Sequence, residues 1–220
     1  MTAKSYYPAF LDISGRRCIV FGGGHVALRK VRMLLEFRAR VEVVAPELCV
    51  EMEALQADGL IEVRTGRFEP GDLDGAFVAI AATDDQDTNE RIASEARERR
   101  VLINVVDVPK LCDFIVPSYL RRGDLTIAVS TSGGSPALAK KLRARLEKEF
   151  GDEYSALSKL AGDVRAEFKR KGIVASASDW ESALDIDRIL DLLRQGKEEE
   201  ARTTLVNALD HERKAIRHAR

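Results

Sequence analysis

Residues 18–30, Cys-Ile-Val-Phe-Gly-Gly-Gly-His-Val-Ala-Leu-Arg-Lys, constrain this chain more than any other stretch. The apolar run from Cys18 to Phe21 is of the kind that makes a buried parallel strand. Three glycines follow at once. Ala27, Val31, Leu34 and Leu35 then recur at the spacing of one helix face. Strand, glycine turn and helix together are the setting that a dinucleotide-binding fingerprint needs, and here it reads Gly22-x-Gly24-x-x-Ala27. Gly22 permits the tight turn, Gly24 lets backbone approach a pyrophosphate, and Ala27 lets the helix pack close on the strand. The helix N-terminus offers unpaired N–H groups and a positive dipole end to the phosphates. A plain strand-to-helix turn is the simpler alternative. The strand before and the amphipathic helix after favour nucleotide binding over it.

Further strands are predicted over 41–45, 61–64, 77–82 and 101–106, with helices from 25 to about 37, 47 to 57 and 87 to 99. Alternating strands and helices of this kind make an α/β fold, a Rossmann-type doubly wound parallel sheet. Pro46 stops the second strand. The acid that commonly holds the ribose appears here as Glu47, one residue past that proline, so contact by backbone at Pro46 and Glu47 is expected. No arginine follows closely to favour a 2′-phosphate, which points to NAD rather than NADP. The fourth strand ends in Ala82-Thr83-Asp84-Asp85 at the sheet edge where ligands of open α/β sheets bind. The same residues also suit a helix cap.

Composition sets outer bounds. A chain of 220 residues has room for one large domain or two small ones, and a formal net charge of -1 gives no electrostatic case for nucleic acid or an anionic membrane. The N-terminus shows no apolar signal core, and no run approaches membrane-spanning length. Cys18, Cys49 and Cys112 are odd in number and widely spaced, which fits a reducing cytoplasm. Of the three histidines, His211 and His218 lie in the charged C-terminal tail and only His25 lies in the sheet region, so no preformed metal site is expected.

Asp107 sits just past the fifth strand, where an acid facing the glycine turn can accept a proton while a nicotinamide accepts a hydride. A turn residue ahead of Pro109 is the simpler reading of its position. Cys112 reads as a packed thiol, since no histidine is near it in sequence. The style changes after residue 113. Two strands, 114–116 and 125–130, are joined through Arg121-Arg122-Gly123-Asp124 as a hairpin. Thr131-Ser132-Gly133-Gly134-Ser135-Pro136 then forms an anion-friendly loop, with Ser135 as N-cap, opening a helix that carries Lys140, Lys141, Arg143 and Arg145. Those cations serve equally as a solvated face paired with Glu147 and Glu149 or as a binder of a carboxylate-rich ligand. Helices are expected over 153–171, 180–194 and 197–218, with Asp179 as a start signal and Gly196 as a stop. Three segments follow: a nucleotide-binding domain over 1–113, a strand-strand-helix region over 114–150 and a helical domain over 151–220.

Gly22-Gly23-Gly24-His25-Val26-Ala27-Leu28-Arg29-Lys30, Val43-Val44-Ala45-Pro46, Ala81-Ala82-Thr83-Asp84-Asp85, Asn104-Val105-Val106-Asp107 and Phe114-Ile115-Val116-Pro117-Ser118 stand in that order. Ala128-Val129-Ser130-Thr131 and Gly134-Ser135-Pro136 continue the series. The ordered set resembles the precorrin-2 dehydrogenase family, the amino-terminal module of siroheme synthases, over roughly residues 8–150. No methyltransferase half follows within the 220 residues, so the resemblance is to the stand-alone form. That family oxidises precorrin-2 to sirohydrochlorin with NAD+, and some members also insert Fe2+ as a substrate. The resemblance implies that Asp107 is the catalytic carboxylate. It implies that Gly22, Gly23, Gly24, His25 and Val26, with Pro46, Glu47, Ala82, Thr83 and Asp84, touch NAD. Ser118, Ser130, Thr131, Ser132 and Lys140 are the candidates for binding the tetrapyrrole. A homodimer is implied too, with the two-strand region and its helix at the interface. A nucleotide-sensing regulatory domain without catalysis is the competing expectation, and it has no use for Asp107.

Overall fold

A computed structural model describes residues 5–218, with side chains through residue 212. The extreme N-terminal residues 1–4 and the side chain of His218, both weighed in the sequence, lie outside the described residues. The chain divides into two compact units, one ending at Val116 and one beginning at Pro117.

In the first unit, β1 (Arg17–Phe21) lies at the centre of a five-stranded sheet. With β2 (Arg40–Ala45), β3 (Glu62–Thr65), β4 (Val78–Ala81) and β5 (Leu102–Val105) the order is β3-β2-β1-β4-β5, all parallel. This is the doubly wound Rossmann-type sheet expected from the alternation. Alternate residues of each strand face opposite sides. Val20, Val43 and Ile80 meet Ala27 and Val31 of α1 (His25–Glu36) and Met52 of α2 (Val50–Ala57) on one side. Ile19, Ala79 and Ile103 meet Ile92, Ala93 and Ala96 of α3 (Gln86–Glu98) on the other. Phe21 pairs in register with Val44 and with Ala81, and Ala81 with Val105. The strands therefore end level, and the loops after them stand side by side at one edge.

The second unit opens with a two-stranded antiparallel hairpin, β6 (Ser118–Arg122) and β7 (Leu125–Val129). The strand expected over 114–116 is not one. Asp113 N–H bonds back to the Ile103 carbonyl at 2.8 Å, and the Asn104 amide donates to the Phe114 carbonyl at 3.0 Å, so this apolar stretch packs against β5 as irregular chain. The hairpin loop is the pair Gly123-Asp124, with Gly123 at a φ of 59° that suits the first central position of a tight hairpin turn. Ser135 caps α4 (Pro136–Glu149) by accepting from the Leu138 N–H at 3.3 Å, as expected.

Four helices complete the unit: α5 (Glu153–Arg170), α6 (Ala177–Ala183), α7 (Ile186–Arg194) and α8 (Glu198–His218). Leu157, Val164, Phe168, Ile189, Leu190 and Leu205 form their common core. The single helix expected over 180–194 is in fact α6 and α7. Asp185 turns outward to accept from the Arg188 N–H at 3.2 Å and caps a new helix. Asp179 is not a start residue but the third helical position of a capping box. Its carboxylate takes the Ser176 N–H at 2.7 Å while Ser176 Oγ takes the Asp179 N–H at 3.2 Å. Among the described residues no helix is long and apolar enough to cross a membrane.

Ile80 has no exposed surface and stands on the strand next to the sheet's centre. Ile80→Ala should lower the unfolding free energy by about 2–5 kcal/mol, read as a drop in urea midpoint at unchanged slope. A loss below about 1 kcal/mol would mean that the sheet core is not packed as described.

Candidate active site

The level strand ends carry a cleft of about 860 Å3, within the size range of small-molecule sites of about 300–1,000 Å3. Its floor is the turn after β1. Gly22 has a φ of 121°, and a Cβ there would strike the Ala82 carbonyl. A Cβ on Gly23 would strike the Glu47 carbonyl. The turn is thus pressed between the ends of β4 and β2, and Gly22 N–H to Val44 O at 2.9 Å and Cys49 N–H to Gly23 O at 2.8 Å hold it there. Gly24 differs: it is the N-cap of α1, and a Cβ would meet nothing within 4 Å. Gly24 has no side chain to cap α1, so the first-turn N–H groups stay available to an anion.

Beyond β4, Thr83 and Asn89 clasp each other. Thr83 Oγ1 donates to Asn89 Oδ1 at 2.8 Å, and Asn89 Nδ2 donates to the Thr83 carbonyl at 2.9 Å. Of the three residues that suited a cap, Asp85 is the one, accepting from the Asp87 N–H at 3.2 Å. The Thr88 hydroxyl bonded to Asp85 holds its carboxyl below the usual range.

All ten residues expected at the cofactor line this one cleft: Gly22, Gly23, Gly24, His25 and Val26 from the turn and α1, Pro46 and Glu47 after β2, and Ala82, Thr83 and Asp84 after β4. Sequence reasoning missed Cys49, Thr88 and the loop after β3, which brings Gly66, Arg67 and Phe68 to the same wall. Phe68 is buried edge-on against Phe21 at 5.2 Å between ring centroids, which fixes the neighbouring Arg67 at the cleft. The short alternating stretch Ile61-Glu62-Val63-Arg64-Thr65, ending at Gly66-Arg67, marked a strand end there and nothing more.

Asp107 does not line the cleft. It stands in the turn after β5, one strand further along the same edge, exposed and with a φ of 59°. Aspartate is among the few residues that adopt this left-handed conformation readily. The turn is clipped from beneath by Cys112, buried as expected. Its sulfur accepts from the Val105 N–H at 3.2 Å and lies 3.1 Å from the Val105 carbonyl and 3.4 Å from that of Val108. Burial, then the neighbouring Arg29, pulls the Lys30 pKa down, and Asp107 and Cys112 oppose this. Cys18, inside the sheet, has its thiol pushed up to about 11 by burial, which keeps it protonated and inert.

The five residues expected to bind a tetrapyrrole belong to the second unit. Ser118 opens β6, paired with Val129, next to which Ser130 leaves β7. Ser130 Oγ accepts from the Ser132 N–H and Thr131 Oγ1 from the Ser135 N–H, both at 3.0 Å. These hydroxyls shape the loop that opens α4. Lys140 is exposed on α4, one turn beyond, while Arg143 is paired with Glu147.

Gly24→Ala should leave the melting temperature close to that of the parent, since its methyl enters open space, yet weaken nucleotide binding by about tenfold, because that space is the phosphate approach. Gly23→Ala should lower both. Calorimetric titration with NAD+ alongside thermal unfolding separates them, and equal nucleotide affinity in Gly24→Ala and the parent would remove the phosphates from this turn.

A family model for NAD(P)-binding proteins matches residues 9–118, and a second, described as sirohaem biosynthesis protein central, matches residues 122–149. A siroheme synthase of Thioalkalivibrio sulfidiphilus is 41% identical over 93% of this chain and 42% of its own length. One of Nitrosococcus oceani is 40% identical over 93% of this chain and 44% of its own. The chain thus spans less than half the length of the curated relatives it matches. Among solved structures, one titled SirC, precorrin-2 dehydrogenase, superposes with a TM-score of 0.73 at 26% identity, covering 92% of this chain and 100% of that one. With an NAD(P)-binding sheet, a sirohaem-specific segment after it and relatives matched along nine-tenths of its length, this chain belongs to the precorrin-2 dehydrogenase and siroheme synthase family.

Proposed function

We propose that this protein oxidises precorrin-2 to sirohydrochlorin with NAD+ as hydride acceptor. The observation that carries the reading is the pairing of a nucleotide cleft over β1, β2 and β4 with a carboxylate, Asp107, at the next strand end. The residues present suit a dinucleotide: a side-chain-free turn, open N–H groups on α1 and a cleft large enough for it. The bound cofactor supplies the hydride acceptor. The protein's own part is to bind, orient and take a proton. The turn of Gly22 to Gly24 and the N-terminus of α1 hold the phosphates. Pro46 and Glu47 bound the adenosine side at the end of β2, which leaves the β5 side, with Asp107, for the reacting ring. Loss of a hydride from one carbon of the substrate leaves a proton to be removed from another position. Asp107 accepts that proton directly or through a water it orients.

The substrate is a tetrapyrrole rich in carboxylates, which suits the Ser118, Ser130, Thr131 and Ser132 hydroxyl loop and Lys140. The hairpin supports a homodimer, because a two-stranded sheet is marginal alone and Leu138 and Leu142 are 48% and 40% exposed on the adjoining α4. Three cysteines with no disulfide among them suit a reducing, cytoplasmic setting. Arg67 on the cleft wall favours a second reading of the cofactor alone, NADP+, since an arginine there can pair with a 2′-phosphate.

The test is an anaerobic assay of the purified protein with precorrin-2 and either NAD+ or NADP+, following reduced nicotinamide and the sirohydrochlorin spectrum. Stoichiometric appearance of both with NAD+ is expected, and faster turnover with NADP+ would select the second cofactor. Fe2+ added afterwards should consume sirohydrochlorin if the protein also inserts the metal. Asp107→Asn keeps the left-handed turn and removes the base, so turnover should fall by about 10²–10⁴ with NAD+ affinity unchanged. A variant as fast as the parent would end the catalytic assignment. A parent that binds NAD+ but never turns over would favour the sensing role.

A further inference from the structure

A cluster of metal-binding donors stands at the mouth of the cleft, assembled from residues far apart in sequence. His25 is the first residue of α1, Cys49 is the N-cap of α2, and Glu51 lies in the first turn of α2. One donor atom from each lies within 4.8 Å of the other two, and His25 Nδ1 is 4.0 Å from Glu51 Oε2. The backbone under them is tied: the Cys49 N–H donates to the Gly23 carbonyl at 2.8 Å, joining the start of α2 to the turn before α1. We propose that His25, Cys49 and Glu51 form a three-ligand site for one divalent transition-metal ion of the zinc or cobalt type, with water as the fourth ligand. This does not rest on the dehydrogenase reading.

The chemistry of the donor set selects the ion. Imidazole and thiolate suit zinc and cobalt, whereas magnesium and calcium require oxygen ligands in greater number. Three protein ligands and one open position make the tetrahedral arrangement of zinc sites that keep a water. Bonds of about 2.0–2.3 Å hold ligand atoms about 3.5 Å apart. The donor atoms stand somewhat wider than that, and the His25 and Glu51 side chains are exposed and free to turn toward a shared ion. Binding balances in charge. The metal brings two positive charges, Glu51 is a carboxylate, and Cys49 gives up its thiol proton to solvent as the sulfur–metal bond forms. The N-terminal end of α2 stabilises both anionic ligands. The other two cysteines, Cys18 and Cys112, are buried at 0% and 4% exposure, so any thiolate–metal signal reports Cys49.

The experiment is titration of the chelator-stripped, full-length protein with Co2+. One equivalent should give visible absorption of tetrahedral strength and a thiolate-to-cobalt charge-transfer band in the near ultraviolet. Zn2+ should erase both and Mg2+ neither. Cys49→Ser should abolish the charge-transfer band. Glu51→Gln should keep the band and weaken binding by at least about tenfold, the loss common even for groups that only orient a ligand. Circular dichroism verifies that each variant is folded, and Glu51→Gln, near-isosteric on an exposed turn, carries the test if Cys49→Ser is not. Octahedral weak colour, a charge-transfer band that survives Cys49→Ser, or equal affinity in Glu51→Gln would each overturn the site.

Discussion

The closeness of three backbone segments at one sheet edge governs this structure. The turn after β1 lies so near the Ala82 and Glu47 carbonyls that neither Gly22 nor Gly23 has room for a methyl group. That approach is possible because β1, β2 and β4 end in register, and they do so because small and β-branched residues fill both faces of the sheet at native density. Core packing therefore sets the position of the N–H groups at the start of α1. The cleft is a consequence of the sheet's stacking, and its precision comes from strands whose apolar side chains are buried.

Asp107 rests on a different support. Its turn is entered by a last sheet bond from the Val106 N–H to the Ala81 carbonyl at 2.9 Å and is then held by the Cys112 sulfur, which meets backbone groups of both Val105 and Val108. A buried thiol is a weak hydrogen-bonding partner, yet it fills space and satisfies an N–H at the same time. The chain beyond is fastened by Asp113 and by the Asn104 amide, both to β5. A left-handed aspartate stores a small amount of strain, and these contacts are what hold it. The carboxylate is thus presented by a built turn at a strand end, as reactive groups of open α/β sheets commonly are.

The sheet, its order of elements and the ten cleft residues were legible because they depend on local signals: apolar runs of strand length, glycines between them, and polar residues at strand ends. What escaped depends on contacts between distant segments. Arg67 reaches the cleft only because Phe68 packs on Phe21, 47 positions earlier in the chain. Phe114 to Val116 have strand composition but form no ladder on β5, because the Phe114 carbonyl is taken by the Asn104 side chain and the Asp113 N–H before it goes to the Ile103 carbonyl. The split of α6 from α7 turned on Asp185, whose side chain competes with helix continuation for a backbone N–H. His25 and Cys49 looked unrelated at 24 residues apart, and only the Cys49-to-Gly23 bond brings them together. The placing of Asp107 just past the fifth strand was legible from the sequence, while a catalytic role for it was implied by the resemblance and not by position, which a plain turn explains as well.

One helix serves the cleft. α1 places His25 and its free N–H groups at the cleft, buries Ala27 and Val31 against the sheet, and carries Lys30 further along. His25 and Lys30 are five residues apart, so the anion-binding end and the lysine are separated by about 7.5 Å along the axis. The strands beneath are spaced about 4.8 Å, and Asp107 lies past β5, two strands from β1. α1 lies over β1 and β2, with Ala27 and Val31 on Val20 and Val43, and carries no part of the Asp107 turn. Packing errors under Ala27 or Val31 would therefore displace the start of α1 and the cleft, while the Asp107 turn keeps its own contacts to β5 and Cys112. The cleft floor and the exposed carboxylate thus have separate supports at one sheet edge, the first set by helix-on-sheet packing and the second by the turn after β5.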